Sequence, residues 1–492
     1  MPSQCTNSKL CTDVVIIGNG PSGICLSYFL SGNKPYYNGK PHSNQILAEK
    51  LKKCGQNGSI VDQELESLCE GLEGRSSNPV AVLFDSLCHP DADLGGDNFS
   101  LLEWRHEPEH KINHMVLGRE KPGGSWQKMD GSMQTLSLSS WMELPDMPFK
   151  DWQSKQKRHE DQIEPCMNRA TITDVCNYYT AFVEEKNLKK NFHNNYTVTS
   201  VRKVYRNKKV VDCENGETEP CCPSMTKHPY FWEVRGYKLV NSFHGDGTEE
   251  VDREDFCISC LSVVIATGTF DIPNKLGVVG ENLPIVSHSL HDFESVIKKE
   301  QLKTCPDPML VVGAGLSAAD AILMAVQNQV PVLHAFRRGA NDSSQILKKL
   351  PHNMYPEYHE VHQLMKGTKK NPYYKPMSKH SVLEIKDDKK VLLKPHQASS
   401  VEINSLDISH VAILIGSRPD LSFLPSGGRS IGVMPKYPIE SKHNPIDIDP
   451  YSYQCIQEQG LFAMGPLVGD NFVRFGLGGA LGITNYLSLR NK

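Results

Sequence analysis

The sequence predicts an α/β protein with two dinucleotide-binding, Rossmann-like domains, the first split by insertion of the second. Three observations carry this. A buried-strand run, Asp13-Val-Val-Ile-Ile17, ends in Gly18-Asn-Gly20-Pro21-Ser22-Gly23 and then a helix-compatible segment, Ile24 to Leu30. Strand, glycine turn and helix recur at Met309-Leu-Val-Val-Gly313-Ala-Gly315-Leu-Ser317-Ala318-Ala319-Asp320. Two apolar strands end in small-residue turns that echo each other, Leu261 to Thr267-Gly268 and His410 to Ile415-Gly416-Ser-Arg-Pro419, and these mark the expected crossings between domains. The expected boundaries are a variable stretch at 1–11, a first domain over 12–284 with an insertion at about 31–112, a second domain over 285–405, and the rest of the first domain over 406–492.

In each turn the first glycine permits a tight reversal. The second lets a pyrophosphate approach the backbone, and the third lets helix pack on strand, with the helix N-terminus facing the phosphate. With 37 glycines in 492 residues the bare pattern arises by chance roughly 0.2 times per chain, so the flanking strand and helix carry the inference. Finding the arrangement twice strengthens it, with Ala318 in the third glycine's place in the second copy.

Composition narrows the function classes. At 39% hydrophobic and 22% charged residues the chain can bury cores, and 53 Lys+Arg against 57 Asp+Glu leave a formal charge of −4, with no basic field for nucleic acid. The longest apolar runs are strand-length, well short of the ~20 residues a membrane span needs. Met1 to Cys11 carries one lysine and no apolar core, unlike a secretory signal. Fifteen cysteines, an odd number at low density, fit free thiols in a reducing compartment, so the protein is expected to be soluble and intracellular, most simply cytoplasmic. Cys257-Ile-Ser-Cys260 has redox or zinc spacing but runs into a strand with no second such pair, which favours a structural role; Cys221-Cys222 lies between prolines and reads as loop. No metal site is expected.

After Leu30, Ser31 to Asp97 is rich in Gly, Asn, Pro and Ser around one helical segment, Ile60 to Cys69, and reads as an insertion. The next strand of the first domain is expected at Asn113 to Leu117, leading into Gly118-Arg-Glu-Lys-Pro-Gly123-Gly124-Ser-Trp126. An acidic residue normally ends this strand and holds a ribose diol; Gly118 and Arg119 stand near that place, with Glu120 as a substitute. Ile172 to Leu188 shows helical periodicity with Tyr178, Tyr179 and Phe182 as core. Val198 to Tyr205 and Tyr230 to Val234 read as strands flanking a polar surface loop, Asn207 to Pro229.

In the second domain Val332-Leu-His-Ala-Phe336 ends in Arg337-Arg338, where an acid would select a free 2′-hydroxyl and a guanidinium would hold a 2′-phosphate. The second nucleotide is therefore expected to be NADPH; the plainer alternative is a solvated strand end. The tail runs Gly460-Leu-Phe-Ala-Met-Gly465-Pro-Leu-Val-Gly469-Asp470-Asn471, then Phe475-Gly-Leu-Gly478-Gly479-Ala480 opens a closing helix. A strand delivering Asp470 beside such a helix can place its carboxylate on a ribityl hydroxyl and the helix N-terminus at an electron-rich ring edge, or can simply be a core strand and helix.

Together Gly18 to Gly23, Gly123-Gly124-Ser-Trp126, Ala266-Thr267-Gly268, Gly313 to Asp320 and the Gly465 to Gly479 tail resemble the two-dinucleotide flavoprotein monooxygenases. More narrowly, Ile16 to Tyr28, Glu70-Gly-Leu-Glu-Gly-Arg-Ser76, Gly131-Ser-Met133, Trp141-Met-Glu-Leu-Pro145, Tyr355-Pro-Glu-Tyr-His359 and Gly465 to Phe475 are similar to the oxidative stress-induced growth inhibitor family. The resemblance implies FAD on Gly18, Gly20, Gly23 and the Gly465 to Gly479 segment. It implies NADPH on Gly313, Gly315, Ser317 and Arg337-Arg338. It further implies hydride transfer to the flavin and use of molecular oxygen on an unknown small-molecule or protein substrate, with no side-chain nucleophile. The monooxygenase fingerprint aligns on His288, but Asn282 and Pro284 replace its Phe and Gly, and Asp292 replaces its aromatic, with Phe293 one place late. Where a flavin-side asparagine is expected, Thr135 to Ser140, the chain offers Ser137, Ser139 and Ser140, so no catalytic residue is assigned; Trp141 reads as packing. Two rivals remain: a disulfide-type reductase, which would need Cys257 and Cys260 beside the flavin, and a non-catalytic growth-regulatory or scaffold protein that retains the fold.

Overall fold

The computed structural model describes residues 10–54, 58–96, 98–129, 131, 133–156, 169–206, 228–243, 249–297, 306–396 and 403–490. Most of the expected loop over 207–229, with Cys221-Cys222, and most of the N-terminal stretch lie outside the described residues. The chain forms two compact units, Met1–Thr269 with Pro419–Lys492, and Phe270–Arg418.

The first unit opens with β1 (Leu10–Ile17) and α1 (Pro21–Leu30). Val14 to Ile17 are all buried, as a β-branched run flanked on both sides by strands must be. The chain continues through β2 (Asn33–Tyr37), α2 (Gln45–Cys54), α3 (Leu65–Cys69), α4 (Pro79–Cys88), β3 (Leu102–His106) and β4 (His114–Leu117), then α5 (Phe149–Gln156), α6 (Ile172–Glu185), β5 (Phe192–His193), β6 (Tyr196–Tyr205), β7 (Tyr230–Phe243) and β8 (Glu249–Ile265). α6 starts in a capping box, Thr171 with Asp174, and Tyr178, Tyr179 and Phe182 are core as expected.

The expectation for 31–97 needs correcting in one respect. Ile60 to Cys69 is not one helical segment: Ser59 caps a short 3-10 turn, Ile60–Asp62, which is separate from α3. Around it the insertion-like stretch holds α2, α4 and the antiparallel pair β2 and β3. α4 starts at Pro79, a residue preorganised for a first helical position, and Val80 to Leu87 are mostly buried in the same core as β1. Polar loop composition hid an apolar helix of only 10 residues.

The second unit runs β9 (Ile272–Pro273), β10 (Val286–Ser287), α7 (Leu290–Ile297), β11 (Met309–Val312), α8 (Leu316–Gln327), β12 (Val332–Phe336), α9 (Ile346–Lys349), α10 (Pro356–Lys366), β13 (Tyr374–Ser378), β14 (His380–Ile385), β15 (Lys390–Pro395), β16 (Asn404–Asp407), β17 (Val411–Ile413) and β18 (Ser417–Arg418). Its main sheet has order β10-β17-β11-β12-β13, parallel throughout, beside an antiparallel sheet β14-β15-β16. The chain returns to the first unit with β19 (Leu461–Ala463), α11 (Val473–Gly476) and α12 (Gly478–Arg490). There the sheet order is β5-β4-β1-β8-β7-β6, with β19 parallel on β8. α12 packs against both α1 and α4. Among the described residues no helix is long and apolar enough to cross a membrane.

Candidate nucleotide sites

In the first unit the glycine turn leaves β1 where the sheet ends, and its three glycines differ in what surrounds them. Gly18, at φ 113°, has no room for a side chain, because a Cβ there would lie 2.3 Å from the Ala266 carbonyl oxygen. A Cβ at Gly23 would lie 2.1 Å from the Gly18 oxygen, so this glycine lets α1 close on the turn. At Gly20 the nearest atom to a Cβ is the Gly123 oxygen at 3.9 Å, so the backbone is bare there without being crowded by protein. α1 begins with no side-chain cap, with Gly20 as its N-cap and Pro21 at its first position. Its first-turn N–H groups are thus left to a ligand or water.

Three distant segments converge on this turn. The Gly123 N–H donates to the Asn19 oxygen at 2.9 Å, which brings Gly124 within close packing distance of Gly20 and places Trp126 on the same loop. The Ala266 N–H donates to the Ile17 oxygen at 2.8 Å, which sets Thr267 and Gly268 beside the turn. Thr267 Oγ1 is buried without a hydrogen-bond partner among the described residues, and Gly268, at φ 72°, has open space around it. From the chain end, Ser22 Oγ donates to the Gly476 oxygen at 2.9 Å, and a Cβ at Gly465 would lie 2.7 Å from that same Oγ.

One residue that sequence reasoning passed over, Asn19, accounts for the glycine where an acid was expected at the end of β4. Asn19 is 2% exposed and its amide donates to the Glu120 carbonyl at 2.6 Å. Any side chain at 118 would meet that amide at 2.1 Å, so Gly118 is there to admit Asn19. Glu120 itself pairs with Lys128 at 2.9 Å, half-exposed.

In the tail the Asp470 carboxylate is held by protein side chains. Asp470 is 2% exposed; Ser76 Oγ donates to one carboxylate oxygen at 2.5 Å and Tyr453 Oη to the other at 3.2 Å. Burial pushes its pKa up to about 7, against the hydrogen bonds it accepts. Its carboxylate therefore ties the Glu70 to Ser76 stretch to the tail rather than standing open to a ligand. Gly478 and Gly479 likewise owe their small size to protein neighbours: Cβ atoms there would lie 2.4 Å from the Ala81 Cα and 2.7 Å from the Met464 Cβ. Next to them Arg474, 1% exposed, bonds Asp85 at 2.6 Å and lies 4.4 Å from the Trp141 ring centre, so Trp141 packs as expected. Thr135 Oγ1 is taken by the Ser137 oxygen at 2.7 Å and His89 reaches the Ser140 oxygen at 3.1 Å.

The second unit repeats the turn with its own residues. Gly313, at φ 132°, backs onto the Leu414 oxygen, where a Cβ would come within 2.2 Å, and Gly315 has nothing within 4 Å of a Cβ. α8 starts uncapped at Gly315, with Ser317 and Ala318 in its first turn. Strand register aligns the two units: Ile17 opposes Leu117 and Val312 opposes Ala335, which puts Arg337 in the place of Arg119 and Arg338 in the place of Glu120. Both arginines are exposed; Arg338 bonds Ser344 and lies 3.9 Å from Asp342. His288 follows β10 with its Nδ1 buried and without a partner among the described residues.

Cys257 and Cys260 stand three apart on β8 and so on opposite faces. Cys260 lies five residues before the strand end that carries Thr267, roughly 16 Å at ~3.3 Å per residue. Burial pushes its thiol well up. This geometry supplies no dithiol at the turn.

A bare second glycine, an uncapped helix start and an orphaned buried hydroxyl fit a dinucleotide in the first unit; the first two recur in the second. Residues 235–437 match the family model described as pyridine nucleotide-disulphide oxidoreductase. Across 98% of this chain and 100% of the other, the fold is similar to the bacillithiol disulfide reductase of Staphylococcus aureus at 14% identity and TM-score 0.56, and to the ornithine hydroxylase of Pseudomonas aeruginosa at 13% and 0.52. The class is thus a two-dinucleotide flavoprotein fold. Along its length the chain is 45% identical over 498 residues to oxidative stress-induced growth inhibitor 2 of Homo sapiens, covering 99% of this chain and 95% of that protein. It belongs to the oxidative stress-induced growth inhibitor family.

Proposed function

We propose that the chain is an FAD- and NADPH-dependent, monooxygenase-like oxidoreductase with a growth-regulatory role. The observation that carries the reading is the pair of glycine turns whose middle glycines, Gly20 and Gly315, are both uncrowded by protein atoms. Gly20, Ser22, Gly124 and the uncapped α1 would hold the FAD pyrophosphate, with Thr267 Oγ1 donating to the cofactor and Trp126, Gly268 and Gly465 shaping its surroundings. Gly315, Ser317 and Ala318 would hold the NADPH pyrophosphate, with Arg337 and Arg338 on its 2′-phosphate. Asp470, Gly478 and Gly479 act by fixing the tail against Ser76, Tyr453 and α4. When bound, FAD supplies hydride acceptance from NADPH and reaction with molecular oxygen on behalf of a small-molecule or protein substrate.

The second reading, a non-catalytic growth-regulatory protein that keeps the fold, is favoured by Asn282 and Pro284 in the fingerprint and by the inward commitment of Asp470. One experiment separates the two. Purified protein is expected to be yellow, to bleach anaerobically with NADPH and to form peroxide in air without added substrate. Gly20→Val should lose the flavin absorbance, and Gly315→Val should keep it but not bleach. Bound flavin that fails to bleach over many minutes with excess NADPH hands the case to the non-catalytic reading.

A further inference from the structure

β12 carries a buried imidazole directly beneath the second nucleotide turn. His334 is 1% exposed; its Nε2 lies 2.6 Å from the Gly313 carbonyl oxygen and its Nδ1 2.8 Å from Tyr374 Oη on β13. A carbonyl oxygen can only accept, so Nε2 carries the hydrogen, and Nδ1 of the neutral ring accepts from the Tyr374 hydroxyl. Burial holds the His334 pKa down, to about 4, which keeps the ring neutral and this tautomer in place. The Gly313 N–H donates to the Ala335 oxygen at 3.1 Å. Both polar groups of the first glycine are thus tied to β12.

Among the described residues, the first unit shows no such device. Gly18 donates its N–H to the Leu117 oxygen at 2.8 Å, but register places Val116 opposite Ile16 where His334 opposes Val311, and valine has nothing to donate. The third position of each turn supplies the reason. A Cβ on Gly23 would sit 2.1 Å from the Gly18 oxygen, and Ala318 carries the Cβ that Gly23 lacks. The Gly313 carbonyl and the start of α8 therefore cannot stand as close together as their counterparts do in the first turn.

We propose that His334, oriented by Tyr374, is a positioning residue for the second nucleotide turn, holding the Gly313 carbonyl that the Ala318 methyl displaces so that Gly315 and the α8 N-terminus keep the geometry a pyrophosphate needs. The inference rests on reading the second unit as the NADPH site. The test is calorimetric titration of NADP+ into the full chain carrying its FAD, alongside flavin absorbance and thermal midpoint. His334→Val is expected to raise the NADP+ Kd by about 10-fold or more with flavin content unchanged. His334→Gln, whose amide can stand in for Nε2–H, should stay within about threefold of wild type, and Tyr374→Phe should fall between the two. Adding Ala318→Gly to His334→Val should recover most of the affinity, which a purely structural loss would not do. A His334→Val affinity equal to wild type, or a loss that neither His334→Gln nor Ala318→Gly recovers, overturns the inference. A wild type carrying FAD that binds no NADP+ overturns the NADPH reading itself, and this inference with it.

Discussion

Arg337 and Arg338 are both exposed, and their surroundings differ. Arg338 is already engaged by Ser344 and lies 3.9 Å from Asp342, whose carboxyl is held below its usual range chiefly by the Ser344 hydrogen bonds. A 2′-phosphate must compete with that carboxylate. A charge-assisted hydrogen bond contributes about 1.5–3 kcal/mol, so Arg337→Ala or Arg338→Ala is expected to weaken NADPH about 10- to 150-fold and leave NADH nearly unchanged. Titrating both nucleotides checks this, and equal losses for both would show that the arginines do not read the phosphate. Residue identity was legible where backbone geometry demands it. Gly18 and Gly313 stand at φ 113° and 132°, values that exclude nearly every other residue. It was not legible at Gly118, whose reason is the amide of Asn19, 99 positions away.

α4 shows what composition hides at the scale of an element. The helix packs on α12 so closely that Gly478 has no room for a side chain, and His89, which caps its C-terminal end, joins two carboxylates. The His89 ring nitrogens lie 3.5 Å from Asp85 and 3.5 Å from Glu143. Burial alone would lower the His89 pKa, but the two carboxylates override it and push it up to about 9. A histidine raised above its unfolded value of about 6.5 contributes stability fully below that value and loses it as pH rises through the folded one. The gap in thermal midpoint between wild type and His89→Gln is therefore expected to be large at pH 6 and to close by about pH 10. A gap that stays constant over that range would mean the imidazolium is not what holds this contact. No periodicity announced the cluster, because its members come from α4, the loop after Ser140 and, through Arg474, the tail.

For the whole molecule the two units differ in how they are assembled. The second draws every strand of its sheets from 270–418, and its apolar core from the same span. The first needs both chain ends, since β19 pairs with β8 and α12 packs between α1 and α4. The fragment 270–418 alone is expected to unfold cooperatively and to bind NADP+, whereas a chain ending at 418 should yield an unfolded or aggregated first unit. Circular dichroism melts and nucleotide titration of the two fragments check this; a fragment 270–418 without a cooperative melt would show that the second unit depends on the first.

What the sequence by itself determined are the two strand, glycine and helix turns, the tight quarters of Gly18, Gly23 and Gly313, the core face of α6 and the recurrence of one architecture. These depend on backbone φ and on the periodicity of neighbouring side chains, both of which are written locally. Only the tertiary structure decided that Asp470 faces Ser76 and Tyr453, that Gly478 and Gly479 serve helix packing, and that α4 is core. It alone brought His334 under Gly313. Those contacts join residues tens to hundreds of positions apart, and a side chain's duty there is set by which partner burial leaves it, a quantity no local pattern contains.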